Sequence, residues 1–270
     1  MVPSPDSGHS AGGRWDDLVV RIGSAGALAA IGLLAMWGGG LWFHLFVAVA
    51  CGVMVWELAT MFGGRAVAHW PALGAAVAMM VAPEIPEGFA LPLIIAPALF
   101  RSDLMRGHRF QFAMFTVAVC VAGFGLMNLR DDFGFGWMGW LALVVIVTDV
   151  GGYFAGRVFG GPKVWPKVSP KKTWSGTIAG WIAAAAISIP FVKLAGAGWE
   201  LLGIAVAVSM ASQLGDVAES AMKRRAGVKD SSGLMPGHGG LMDRFDSMLG
   251  ASIFLLIVAQ IVDFPPPPLP

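Results

Sequence analysis

Residues 216–246 read DVAESAMKRRAGVKDSSGLMPGHGGLMDRFD and form the most polar stretch of an otherwise apolar chain. Four polar residues share one face if the apolar run before them continues as a helix: Asp216, Glu219, Ser220 and Lys223. That face would carry carboxylates and a cation in one stripe. We expect the helix to stop at Gly227, because glycine readily adopts the left-handed conformation that ends helices.

A loop rich in glycine follows this predicted helix. It contains Pro236, Gly237, Gly239 and Gly240. Backbone N–H groups in such a loop can turn toward an anion, and phosphate suits them. Asp243 and Asp246 come at the start of the next apolar run, and with Asp216 they can supply the hard oxygen ligands that Mg²⁺ prefers. The stretch therefore predicts a metal and phosphate site.

The rest of the chain is typical of a membrane protein. It is 56% hydrophobic and only 13% charged, which leaves too little polar surface for a soluble globule. We predict an all-α, polytopic integral membrane protein with about nine transmembrane helices, near residues 22–37, 41–62, 70–82, 89–100, 110–127, 135–154, 174–194, 199–214 and 247–262. The third and fourth runs are short, and Pro92 and Pro97 interrupt the fourth, so these two could instead form a re-entrant pair.

The basic residues predict the orientation. Of the 18 Lys and Arg residues, all except Arg130 and Lys193 fall on one side if the N-terminus is cytoplasmic and the C-terminus outside. We divide the chain into a disordered polar tail (1–17), an N-terminal transmembrane region of about five spans (18–134), a C-terminal transmembrane region (135–262) and a proline-rich tail (263–270). Loops 157–173 and 215–246 of the third part are then cytoplasmic. The first apolar run is not a cleaved signal peptide.

The polar stretch resembles the signature of the CDP-diacylglycerol synthases, the phosphatidate cytidylyltransferases. The matching residues are Ser220, Lys223, Arg224, Lys229, Asp230, Pro236, His238, Gly239, Gly240, Asp243, Arg244 and Asp246. Met235 departs from the usual Leu, Ile or Phe, an apolar change of similar volume that should cost little. Residues 169–176 (SPKKTWSG), and Asp149 followed by residues 152–154, also look like the family. The resemblance covers the C-terminal half.

The resemblance implies a nucleotidyltransferase of phospholipid biosynthesis that converts CTP and phosphatidate into CDP-diacylglycerol and pyrophosphate. It implies catalytic Asp216, Asp243, Asp246 and Lys223, the three aspartates holding Mg²⁺ with room for a second cation. The implied substrate-binding residues are Asp149, Lys171, Lys172, Ser175, Ser220, Arg224, Lys229, His238, Gly239, Gly240 and Arg244. It also implies a bacterial inner-membrane enzyme with a cytoplasmic active site, a homodimer, and membrane lipids but no nucleic acid as partners.

Simpler interpretations stay open for several residues. The basic run Lys223 to Arg225 could bind anionic lipid headgroups nonspecifically, and the aspartates could merely pair with Lys223 and Arg244. Asp149 could pair with Arg157 at a helix end. Glu57, in the second apolar run, could be a snorkelling or paired carboxylate. Two other classes are weighed, a CDP-alcohol phosphotransferase and a transporter. The first lacks an Ala-Arg at the right distance from Asp216, and the second would gather its ionisable residues at the midplane.

Overall fold

The apolar runs form helices in a computed structural model, which describes residues 11–100, 102–105, 107–194, 196–235, 239–261 and 264. The helices of this part of the chain are α1 (Ala11–Gly38), α2 (Gly40–Phe62), α3 (Arg65–Val81), α4 (Glu87–Leu99), α5 (Arg109–Phe159), α6 (Trp174–Leu194), α7 (Glu200–Arg225) and α8 (Met242–Ala259). The 3₁₀ turns Ala82–Glu84 and Ser102–Leu104 and the strands β1 (Lys163–Trp165) and β2 (Ser169–Thr173) lie between them.

Each predicted apolar run lies on one of these helices. α5 is 51 residues long and bends at Gly134, whose φ of 81° and ψ of −177° are not helical, so its halves carry the fifth and sixth runs. Within the described ranges, five helices are long and apolar enough to cross a membrane: α2, α3 with the turn after it, α5, α6 and α7. The helical membrane fold is confirmed. Nine crossings and the side of each terminus stay predictions.

Three parts of the fold differ from the expectation or extend it. α1 begins at Ala11, inside the stretch predicted as a polar tail, and residues 1–10 and 265–270 lie outside the described residues. α4 has 13 residues and contains both Pro92 and Pro97, too short for a full crossing by itself. The fold is not strictly all-α, because loop 157–173 holds an antiparallel hairpin with Lys163 opposite Thr173.

The hairpin was missed because its strands are short and rich in lysine and proline, residues with little β-propensity. It forms through its surroundings. Gly160 ends α5 with a φ of 60°, and the Trp174 N–H at the start of α6 donates to Pro162 O at 3.0 Å. The loop between α5 and α6 is therefore an ordered platform beside the helix ends.

Glycines bring the helices around the site into close contact. A side-chain carbon at Gly152 of α5 would lie 3.2 Å from Gly176 O of α6, and one at Gly250 of α8 would lie 2.9 Å from Gly215 Cα of α7. Small residues at such crossings let two helix backbones come close together. In a membrane this close packing stabilises helix association, because burying apolar side chains away from lipid gains little. The two close pairs hold the polar ends of α5, α6, α7 and α8 together.

We predict that cysteines introduced for Lys167, on the hairpin, and for Glu84, in the turn after α3, label from opposite sides of sealed vesicles. Both positions are exposed, and the native Cys51 and Cys120 are buried free thiols that should give little background. A membrane-impermeant maleimide should reach Lys167→Cys from the cytoplasmic side only. Labelling of both cysteines from the same side would contradict the predicted orientation.

Candidate active site

A cavity of about 630 Å³ lies where the C-terminal halves of α5 and α7 meet the hairpin and the first turns of α6 and α8. Predicted site residues line it: Asp149, Lys171, Lys172, Asp216, Asp243 and Asp246. These six residues are far apart in sequence, on three helices and a strand, and the cavity brings them together. The mixture of carboxylates and cations is typical of a site that handles phosphates and metal ions.

Asp216 forms an ion pair across this cavity. Its Oδ2 lies 2.5 Å from Lys172 Nζ, and each side chain keeps about a quarter of its surface exposed, 26% and 25%. Its Oδ1 accepts a hydrogen bond from Ser220 Oγ at 3.3 Å. The predicted helix face on α7 is confirmed here, because residues one turn apart on that helix interact. Lys172 thereby places a cation over the cavity from the hairpin.

Lys223 sits between two carboxylates. Its Nζ lies 2.6 Å from Glu219 Oε2 and 2.5 Å from Asp243 Oδ1, and its side chain is only 10% exposed. Two carboxylates therefore neutralise one buried ammonium, and Lys223 ties α7 to the start of α8. In this arrangement Lys223 is engaged by protein groups on both sides, as the simpler pairing interpretation expected for Asp243.

Asp243 is held by four donors. Besides Lys223, its Oδ2 accepts the Ser231 N–H at 2.9 Å, the Ser231 hydroxyl at 2.9 Å and the Gly240 N–H at 2.7 Å. Asp243 precedes the apolar part of α8. Burial alone would raise its pKa, but the hydrogen bonds from Lys223, Gly240 and Ser231 lower the pKa to about 2. Asp243 is thus a charged residue whose two oxygens already have partners.

Asp246, one turn further along α8, has the opposite environment. Burial, and next the charge of Asp216, raise the pKa of Asp246 to about 7, although the Ser247 N–H donates to its Oδ1 at 2.7 Å. Two carboxylates that repel each other inside one cavity would be relieved by a cation between them. A cation bound near Asp246 would therefore favour its charged form, whereas Asp216 already has Lys172 as a partner.

Of the two simpler interpretations of Glu57, a snorkelling or a paired carboxylate, the first is wrong. This residue of α2 is 0% exposed, so it does not snorkel. Its Oε1 accepts the Ser232 hydroxyl at 2.6 Å and the Leu241 N–H at 2.8 Å, while its Oε2 accepts the Met242 N–H at 2.8 Å. The motifs did not indicate that Glu57 contacts the C-terminal half, although a carboxylate inside an apolar helix is costly enough to suggest a specific partner.

At the described end of the glycine-rich loop, N–H groups do turn toward anions, but these anions are protein carboxylates. The Gly240 N–H serves Asp243, and the next two N–H groups, of Leu241 and Met242, serve Glu57. Gly239 has a φ of 81°, and its carbonyl accepts the Met235 N–H at 2.9 Å. Pro236, Gly237 and His238 lie outside the described residues, so the predicted role of His238 stays a prediction.

Other predicted substrate residues lie around the cavity without lining it. Ser175 donates to Gly160 O and lies 3.0 Å from Thr173 Oγ1, which fastens the start of α6 to the hairpin. Arg224 donates to Val228 O at 3.2 Å. Lys229 and Arg244 are exposed. Their contacts with substrate stay predictions.

Arg157 and Tyr153 line the cavity from the last turns of α5. Arg157 Nη1 donates to the Tyr153 hydroxyl at 3.0 Å, and the ion pairs found among the described residues do not include one between Arg157 and Asp149. The helix-end pairing considered for Asp149 is therefore not formed. Arg157 instead adds a guanidinium to the cavity that was not among the predicted site residues.

The carboxylates have the right chemistry for Mg²⁺ but are not gathered around one point. In the described part of the chain, no three His, Cys, Asp or Glu side chains are arranged to hold a metal ion. Lys172 and Lys223 take up oxygens of Asp216 and Asp243 instead. The donor set fits a hard divalent cation provided that these lysines turn to other anions when it binds.

The sequence is also similar to proteins of known family. A family model described as the cytidylyltransferase family matches residues 19–262. A protein named phosphatidate cytidylyltransferase from Brucella suis biovar 1 (strain 1330) is 35% identical over 262 residues, covering 93% of this chain and 97% of the relative. One of the same name from Staphylococcus saprophyticus subsp. saprophyticus is 41% identical over 159 residues, covering 56% of this chain and 61% of the relative.

We predict that Lys223→Met lowers the free energy of unfolding by about 3–5 kcal/mol, because it leaves Glu219 and Asp243 buried without their shared cation. Lys172→Met is the matched control. It breaks a pair that is a quarter exposed on each side, so its cost should stay below about 1 kcal/mol. Unfolding by SDS in a fixed excess of mild detergent measures both. Equal losses for the two variants would contradict the buried bridge.

Proposed function

The chain belongs to the cytidylyltransferase family, and we propose that it transfers the cytidylyl group of CTP to phosphatidate, forming CDP-diacylglycerol and pyrophosphate. It is a membrane nucleotidyltransferase of phospholipid biosynthesis. The observation that carries the proposal is the cavity in which Asp216, Asp246 and Lys172 meet between membrane helices. A water-soluble triphosphate and a lipid phosphate can both reach such a place.

The chemistry asks little of a general base. A phosphate oxygen of phosphatidate, already anionic at neutral pH, attacks the α-phosphorus of CTP. The new P–O bond forms as the bond between the α- and β-phosphates breaks, and pyrophosphate leaves with the electron pair. Catalysis then depends on holding two anions in line and neutralising their charge. The cavity supplies cations for that purpose, and the residues around it fix their positions.

We assign the cations of the hairpin and of α5 to the phosphates. Lys172 already reaches across the cavity to Asp216, and Lys171 and Arg157 line the same space. We retain Lys223 as a proposed catalytic residue; Glu219 and Asp243 balance its charge, so it would bind a phosphate only after one of these contacts is released. We retain Ser220, Arg224, Lys229, His238 and Arg244 as proposed substrate contacts. Asp149 lines the cavity and is proposed to contact substrate as well.

We propose that Asp216, Asp243 and Asp246 hold Mg²⁺, in support of which all three line the cavity. When bound, the ion would neutralise phosphate charge and stabilise the leaving pyrophosphate. Asp246 supports this assignment best, because burial and the charge of Asp216 raise its pKa and a bound cation would lower it. Asp243 would have to exchange one of its present donors for the metal. A second cation would balance the remaining carboxylate charge.

We place the enzyme in a bacterial inner membrane with the cavity on the cytoplasmic side, where CTP is available, and propose that it works as a homodimer. The excess of basic residues in the loops around the cavity supports this orientation. A CDP-alcohol phosphotransferase is not favoured by the relatives. A transporter is disfavoured because the ionisable residues converge at one end of the helices.

The activity is tested with purified protein in detergent, Mg²⁺, phosphatidate and CTP labelled with ³²P. Label on the α-phosphate should move into lipid, whereas label on the γ-phosphate should leave as pyrophosphate. A phosphotransferase would need a CDP-lipid and release CMP, and a transporter would give no lipid product. If correctly folded protein produces no labelled lipid, the proposal is refuted.

We predict that Asp216→Asn and Asp246→Asn each lower turnover at least about 100-fold, roughly 3 kcal/mol of transition-state stabilisation, while the protein stays folded. The reason is that a neutral amide relieves repulsion in the apo cavity but binds metal poorly. Asp243→Asn is the contrasting variant, because it removes the partner of a buried lysine and should unfold more easily with or without Mg²⁺. Turnover per folded protein and thermal stability are measured together. Near-normal turnover in Asp216→Asn would exclude it as a ligand.

A further inference from the structure

Glu57 belongs to α2, in the half of the chain that carries none of the signature residues. It nevertheless contacts the loop between α7 and α8, whose described residues, 226–235 and 239–241, we call the signature loop. It lies 174 residues before Ser231, and its hydrogen-bond partners are hydroxyl and backbone N–H groups from Ser231 to Met242. Ion pairs within the described residues do not include it. A carboxylate that is 0% exposed thus depends entirely on this loop for its solvation.

The loop depends on Glu57 in return. The Leu241 and Met242 N–H groups lie at the start of α8, where backbone donors have no partner within the helix. Glu57 accepts both at 2.8 Å, and a carboxylate at this end also suits the helix dipole. It therefore acts as the N-terminal cap of α8, provided by another helix.

The contact is continuous with the cavity through one shared hydroxyl. Ser231 Oγ lies 3.2 Å from Glu57 Oε2 and 2.9 Å from Asp243 Oδ2, and Asp243 in turn holds Lys223. The space is filled tightly, because a side chain at Gly240 would collide with both Glu57 and Ser231. Displacement of Glu57 would therefore displace the loop and the first turn of α8 with Asp243 and Asp246.

We propose that Glu57 is a positioning residue for the cytidylyl transfer, one that locks the signature loop and the start of α8 and so places Asp243, Lys223 and Asp246 around the cavity. It touches no cavity surface itself. The kinetic test of this inference, which measures kcat, rests on the proposed function. The structural test, which measures amide hydrogen exchange, does not. It also explains why α2 must pack beside a C-terminal region that holds all of the signature residues.

The chemistry of the contact makes Glu57→Gln a sharp test. Each carboxylate oxygen accepts a backbone N–H, Oε1 that of Leu241 and Oε2 that of Met242. In either orientation of the glutamine amide, its NH₂ group faces the N–H of Leu241 or of Met242. Two donors then face each other, and one hydrogen bond is lost. Glu57→Asp keeps two acceptor oxygens on a shorter side chain and should restore part of the contact. Ser252→Ala is the matched control, because it removes another buried hydrogen bond of α8, to Ala122 O at 2.7 Å, away from the loop.

Two measurements on the full chain in detergent decide the proposal. Amide hydrogen exchange at Leu241 and Met242 should be at least tenfold faster in Glu57→Gln than in the unmodified protein, and intermediate in Glu57→Asp. The kcat per folded protein should fall at least tenfold in Glu57→Gln, with a smaller change in KM for CTP and partial rescue in Glu57→Asp. Ser252→Ala should leave both readouts unchanged.

Unchanged exchange and unchanged kcat per folded protein in Glu57→Gln would overturn the proposal, as would a loss of kcat that Ser252→Ala reproduces. If Glu57→Gln does not fold, Ser232→Ala decides, since it removes one donor to Glu57 without stranding its charge. Faster exchange at Leu241 in that variant supports the lock, and unchanged exchange overturns it. If the unmodified chain forms no CDP-diacylglycerol, the proposed function fails, while the exchange measurement still decides the role of Glu57.

Discussion

A buried lysine between two carboxylates is the interaction on which the rest of the site depends. Lys223 binds Glu219 on its own helix and Asp243 on the next, so a single ammonium fixes α7 against α8. Charges at the edge of a membrane helix are expensive unless each has a partner. Asp243 has such partners in Lys223, Ser231 and Gly240. The Ser231 hydroxyl also lies within hydrogen-bond distance of Glu57. The network gathers α2, α7, α8 and the signature loop into one unit.

This unit distinguishes two roles that the sequence alone could not distinguish, the binding of protein carboxylates by the loop and the proposed binding of substrate in the cavity. The glycine-rich loop has N–H groups directed at anions, as its composition predicted, but Asp243 and Glu57 are those anions. The proposed site for the substrate phosphates is the adjacent cavity, which Lys172 and Arg157 line. The proposed Mg²⁺ site also lies in this cavity, where burial and the charge of Asp216 raise the pKa of Asp246 to about 7.

The local features of the site could be predicted because they follow from spacing along one helix. Such features include the shared helix face of Asp216 and Ser220. They also include the end of α7 near Gly227 and the start of α8 just before Asp243. Contacts between distant segments could not be. Nothing in the sequence around Glu57 names partners 174 to 185 residues away, and the hairpin forms against its own low propensity.

The division between a locked loop and a substrate cavity is tested most directly by a structure of the full chain with Mg²⁺ and a non-reactive CTP analogue. The account predicts the triphosphate inside the cavity, within reach of Lys172 and beside Asp216 and Asp246. Glu57 should still accept the N–H groups of Leu241 and Met242. A triphosphate bound instead to the N–H groups of residues 239–242, with Glu57 displaced from them, would contradict it.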